Sequence, residues 1–123
     1  MNIPETITEE FLKDNPNCIF VFGDNLLRKG YGGAAKLRDC INSYGFITKK
    51  YPNNFNSSFY TKEEYLSVFE EEKDKLIYLI ENNPDKIFLI SKLGGGLANK
   101  FHIYEDIIKP WIDTLSYDNV VIL

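Results

Sequence analysis

The 123-residue chain has the length of one domain, and its 44% hydrophobic and 26% charged residues are those of a globular protein, not a disordered or low-complexity one. A net charge of −4 and a pI of about 5.0 argue against general nucleic-acid binding, because an acidic surface repels phosphate backbones. No apolar run is long enough to span a membrane, and the acidic opening "MNIPETITEEFLKD" lacks the basic-then-apolar order of a signal peptide. With two cysteines, Cys18 and Cys40, too few for a disulfide scaffold, the chain reads as a reduced, cytoplasmic protein with no membrane partner.

In chain order, "TITEEFLKDN" predicts a short opening helix that ends before Pro16. The apolar run "CIFVFG" at 18–23 predicts a strand that stops in glycine. "GGAAKLRDCINSY" places Ala35, Leu37 and Ile41 at near-helical spacing, with Cys40 inside that helix, and "GFITKK" at 45–50 reads as a second strand. Thr61 and Glu64 form a capping box ahead of a long helix, whose stripe is Tyr65, Leu66, Phe69, Leu76, Leu79 and Ile80. Lys73 and Lys75 belong to its solvated face. "KIFLISKL" at 86–93 is a third strand. "HIYEDIIKPWIDTLSY" then spaces Ile103, Ile107, Trp111 and Leu115 by four, with Pro110 set to kink or interrupt the helix, and "NVVIL" at 119–123 is the last strand.

Strands alternating with helices, and strands without polar alternation, predict a single α/β domain with a mainly parallel sheet and right-handed crossovers. "NPNCIFVFG" and "NPDKIFLIS" echo each other, which suggests two similar strand–loop–helix units side by side.

Two glycine clusters follow predicted strands: Gly30, Gly32 and Gly33 with Ala34, and Gly94, Gly95 and Gly96. Ligands of open α/β sheets gather beyond the carboxyl ends of the strands, and helix N-termini carry unpaired N–H groups that suit phosphate. Two such loops facing each other would fit a diphosphate. No Gly-Lys-Ser/Thr ending marks a P-loop, and the spacing of Gly30, Gly32 and Gly33 is not G-x-G-x-x-G. The plainer reading is that these glycines and alanines serve tight packing and a turn.

The stretches "FVFGDNLLRKGYGGAAKLRD" and "IFLISKLGGGLANKFHIYEDIIKPWIDTLSYDNVVIL" resemble the macro domain, a three-layer α/β/α module that binds ADP-ribose. The resemblance covers roughly residues 18–123, with 1–17 as an added helix and turn. "FITKKYPNNFNSSFYTKEEYLSVFEEEKDKL" is similar to the branch that removes terminal ADP-ribose from acidic side chains. The likeness implies that Asn25 meets the distal ribose and that Gly32, Gly33 and Ala34 wrap the diphosphate from one side. Gly95, Gly96 and Leu97 would wrap it from the other. Asp24 is implied for adenine or ribose, and Phe101 for stacking. Lys49 or Lys50 would match the lysine that forms that branch's covalent intermediate. The chain departs from the family in two places: Ala98 stands where an assisting Asp follows the loop, and a short helix replaces the opening strands that carry an adenine-binding Asp.

Other residues read two ways. His102, the one histidine, is either a general base near the second loop or a surface or capping residue. Tyr31, between glycines, stacks on a base or fills a surface groove, while Trp111 reads as core. Arg28 and Lys29 either reach phosphate or solubilise the loop. No ligand spacing suggests a metal, and no cofactor is expected. The preferred expectation is binding of an ADP-ribose-class nucleotide, sequestering a signal, for instance in a virus countering a host. The alternatives are an ADP-ribosyl hydrolase using Lys49, Lys50, His102 or Asp24, and a protein-interaction module without a nucleotide.

Overall fold

A computed structural model describes residues 2–123. Four parallel strands form one sheet in the order β2-β1-β3-β4: β1 Cys18–Asn25, β2 Ser43–Lys49, β3 Ile87–Ile90 and β4 Val120–Ile122. The α/β class and parallel sheet expected from the apolar runs are therefore observed. The two echoing segments lie next to each other, with Cys18 beside Ile87 and Val21 beside Ile90.

Alternation along the strands sends successive side chains to opposite faces. Cys18, Phe20, Phe22 and Leu89 pack with the opening helix α1 (Glu9–Asp14) and with Ala35 and Leu37. Val21, Phe46, Phe88 and Ile90 pack on the other face with the long helix α2 (Lys62–Asn82) and with Ile103 and Ile108. Helical segments thus cover both sides of the sheet. α1 begins at Thr8, whose hydroxyl accepts the Phe11 N–H, and α2 begins at the expected capping box of Thr61 and Glu64. Its stripe is buried at Tyr65, Phe69, Leu76 and Ile80, but Leu66 is exposed and the buried carboxylate of Glu72 joins the inward face. Among the described residues no helix is long and apolar enough to cross a membrane.

Two expected helices differ. Only Gly33–Leu37 is helical after the first glycine cluster, as a 3-10 turn, and Ile41 is fully exposed with Cys40 half-buried. Polar side chains redirect the chain there: Asn42 donates to the carbonyls of Leu12, Asn15 and Cys18, and the Ser43 hydroxyl donates to those of Arg38 and Cys40. Such bonds compete with helical ones and turn the backbone into β2. After the second cluster, a 3-10 turn (Asn99–Phe101) comes first, and a π-helical turn (Tyr104–Ile108) leads into α3 (Lys109–Ile112). The widened turn precedes Pro110, and the Lys109 N–H donates to the Tyr104 carbonyl five residues back. A proline ring clashes with the carbonyl four residues before it, so the extra residue accommodates Pro110 without ending the helix. Trp111 is half-buried and stacks against Phe46, 5.9 Å between centroids.

Candidate functional site

β1 is central. The chain leaves it for β2 on one side and then crosses to β3 on the other, so the strand order reverses between β1 and β3. In open α/β sheets this switch point, beyond the carboxyl ends of the strands, opens a crevice. A cavity of about 520 Å³ lies there, lined by the ends of β1 and β2, the segment after β3, and both glycine clusters.

Most of the residues singled out in the sequence come together on it. Asp24 and Asn25 line it from β1, and Gly30, Tyr31, Gly32, Gly33 and Ala34 from the loop that follows. Gly94, Gly95, Gly96, Leu97 and Ala98 line it from the segment after β3. Lys49 also lines it. Lys50, Phe101 and His102 do not.

The split between the two lysines follows from the strand's period of two. Lys49 faces the cavity, while Lys50 lies over the Tyr60 ring and pairs with Glu64 at 2.6 Å. Phe101 is half-buried in its turn. His102 ends that turn with φ of 62°, a left-handed conformation that leaves its side chain exposed, 3.8 Å from Glu105. His102 thus stands as the capping residue, the second of its two readings.

Asp24 is buried with both oxygens engaged. Arg38 meets one at 2.7 Å, Arg28 meets the other at 3.2 Å, and the Asn25 N–H donates to the first. Asn25 uses its side chain to build the turn, donating to the Lys29 carbonyl at 2.7 Å and accepting the Leu27 N–H. An amide has two donors and two lone pairs, so half of that capacity is used.

Both loops also leave backbone N–H groups without protein partners, on residues that are exposed except for Gly94 and Ala98. The N–H groups of Gly30, Tyr31, Gly32, Gly33 and Ala34 donate to no group among the described residues. The same holds for Gly94, Gly96, Leu97 and Ala98 across the cavity. Gly94 itself is demanded by its setting: φ is 73°, and a Cβ there would lie 2.8 Å from the Ile108 side chain. Gly96 has ordinary φ and open space around it.

The side chains give the cavity a charge opposite to that of the whole chain. Lys29, Arg38, Lys49 and Lys92 line it, and the lining carboxylate, Asp24, is already paired. Lys49 Nζ sits 4.8 Å from the Phe59 ring centre and 3.4 Å from Asn54 Oδ1, with no carboxylate partner among the described residues. Burial lowers its pKa below the usual lysine value.

Arg38 and Lys92 were not legible as site residues. Arg38 was hidden in an expected helix, and Lys92 in a strand end. Gly45 was missed as well. A Cβ there would collide with the Asp24 carboxylate and lie 3.0 Å from the Arg28 guanidinium, so glycine is what lets that ion pair close over β2.

Among curated proteins and solved structures, none matches the chain. Residues 3–99, which include both glycine clusters, Lys49 and the first three strands, match the model of a family of unknown function (DUF7831), and the chain belongs to that family.

Proposed function

We propose that the cavity binds an ADP-ribose-class nucleotide, with its diphosphate between the two glycine loops. The observation that carries this reading is the pair of facing runs of backbone N–H groups with no protein acceptor, Gly30–Ala34 and Gly94–Ala98, apart from Gly95, whose N–H donates to Lys92. Gly94 and Ala98 are buried, where an amide normally finds a partner, while the other residues are exposed and their N–H groups are open to a ligand from solvent; successive backbone amides of this kind make sites for oxyanions. Three lysines around the cavity without a carboxylate partner among the described residues, Lys29, Lys49 and Lys92, favour the same kind of ligand in a chain that is otherwise acidic. The position at the switch point and the likeness of the two loops to those of macro domains support a nucleotide over a simple anion.

The test is a thermal-shift and calorimetric titration with ADP-ribose, beside AMP, NAD and pyrophosphate. Ligand at one hundred times its Kd adds about 2.7 kcal/mol of stability. Gly96→Glu puts a carboxylate into the cavity at a position with room for a side chain, so it should abolish the shift while the protein still melts cooperatively. No shift with any of the four ligands sinks the reading.

Lys49 supports a second reading, hydrolysis of an ADP-ribosyl ester. Its amine would form a bond to the ribose anomeric carbon as the carboxylate of the ester leaves. Water would then release ADP-ribose and regenerate the amine. The burial that lowers the Lys49 pKa favours the neutral nucleophile. Release of ADP-ribose from a glutamate-modified peptide, lost in Lys49→Arg and kept in Lys50→Arg, would support turnover. Binding without release leaves the protein as a nucleotide binder.

A further inference from the structure

Arg38 makes more contacts than an ordinary loop arginine. It caps the 3-10 turn Gly33–Leu37, and its side chain reaches back to the start of the first glycine loop. Its Nε donates to the Gly30 carbonyl at 2.9 Å, and one terminal nitrogen donates to the Lys29 carbonyl at 3.0 Å and meets Asp24 at 2.7 Å. The guanidinium lies 5.4 Å from the centre of the Phe22 ring, which supports it from β1. Its side chain is 12% exposed, against 46% for Arg28, the other arginine on Asp24.

These bonds have a consequence for the amides. A trans peptide sets its N–H opposite its C=O. Turning the carbonyls of Lys29 and Gly30 toward Arg38 therefore turns the N–H groups of Gly30 and Tyr31 away from it, where they meet no protein acceptor. A glycine-rich loop left alone loses entropy on ordering and would sample many orientations. A fixed fork of donors can hold two carbonyls and a carboxylate at once, which a lysine ammonium on a flexible stem does less well.

We infer that Arg38 is a positioning residue: by donating to the Lys29 and Gly30 carbonyls while paired with the Asp24 carboxylate, it holds the first glycine loop in the form whose amides donate to an anion. Its effect on binding rests on the nucleotide reading above. Its effect on the loop does not.

The experiment compares wild type with Arg38→Lys, which keeps the charge but not the fork. In ligand-free protein, backbone order parameters of Gly30–Gly33 should fall from about 0.85 to below about 0.6 in the variant, with those of β1 and α2 unchanged. ADP-ribose binding should weaken about tenfold or more, the loss that follows from a disordered charged-group contact set. In wild type alone, the Arg38 Nε–H should exchange with solvent far more slowly than that of Arg28, a reading that survives if the variant fails to fold. Unchanged loop order in the variant, tight binding by the variant, or equal exchange at the two arginines overturns the inference. If wild type binds neither ADP-ribose nor pyrophosphate while the loop still loosens in the variant, the nucleotide reading fails and the loop-holding role stands.

Discussion

Glu72, buried on α2, accepts the backbone N–H of Ile47 at 2.7 Å, and Tyr65 on the same helix donates its hydroxyl to the Ile47 carbonyl at 2.6 Å. Ile47 lies on β2, which among the described residues pairs only with β1, and a strand residue sends its N–H and C=O to the same edge. α2 thus satisfies from its side chains an edge that would otherwise invite another strand. Burial first, and Glu72 second, push the Tyr65 phenol far above its ordinary value, so it remains a donor at any working pH. Tyr65→Phe should cost about 1–3 kcal/mol by leaving a buried carbonyl unpaired. Glu72→Ala should cost at least as much and Glu72→Gln less, since the amide oxygen can still accept. Urea denaturation of the three variants checks the order, and a neutral Tyr65→Phe would contradict it.

Gly94 and Gly96 sit two residues apart in the same loop with opposite tolerance. Gly94→Ala meets both a left-handed backbone and the Ile108 side chain, and should lower stability by about 1–3 kcal/mol. Gly96→Ala meets neither, and should melt within about 0.5 kcal/mol of wild type. Equal melting temperatures for the two variants would show that the loop adjusts freely.

Gly45→Ala tests the Asp24 ion pair from behind. The new methyl group would push on the Asp24 carboxylate and the Arg28 guanidinium, whose terminal nitrogen also donates to the Gly45 carbonyl at 2.8 Å. The expected loss is about 1–3 kcal/mol, the usual cost of overpacking. Arg28→Ala in the same background removes one of the crowded groups, so the two changes together should cost less than their sum.

Glu64 couples the start of α2 to pH. Its hydrogen bond with Lys50, and then its bond to the Thr61 N–H, lower its pKa from 4.5 to about 2. A depressed folded pKa gives stability that is full above the unfolded value and is lost as pH falls from about 4.5 toward 2. The melting temperature of Glu64→Gln should therefore fall less steeply than that of wild type across that window. Direct titration of the Glu64 carboxyl by NMR should show its midpoint at the low end.

Lys49 should be the more reactive of the two adjacent lysines. Burial lowers its pKa, whereas Lys50 is tied to Glu64. A lysine of lowered folded pKa opposes folding below that pKa, and the opposition is relieved as pH rises toward the unfolded value. Near pH 9, an amine-specific acylating reagent followed by mass spectrometry should label Lys49 faster than Lys50, and ADP-ribose should slow it. Preferential labelling of Lys50 would reverse the assignment of faces.

Much of the fold was legible because apolar runs and caps are local. The four strands, the capping box at Thr61 and Glu64, and the two glycine clusters depend on residues near each other in sequence, and their number and order imply the parallel sheet. The site was half legible. Glycine clusters after strands announce a cavity in this class of fold, and Asn25 and Lys49 are neighbours of strand ends. What tertiary structure decided was everything that depends on a distant partner: which lysine turns inward, that Asp24 is held by two arginines, that Asn42 replaces a helix by a turn, and that His102 swings out. The first depends on which face of β2 meets the cavity, and the others on hydrogen bonds and ion pairs made in the folded chain or on a single backbone angle, none of which the residue pattern shows.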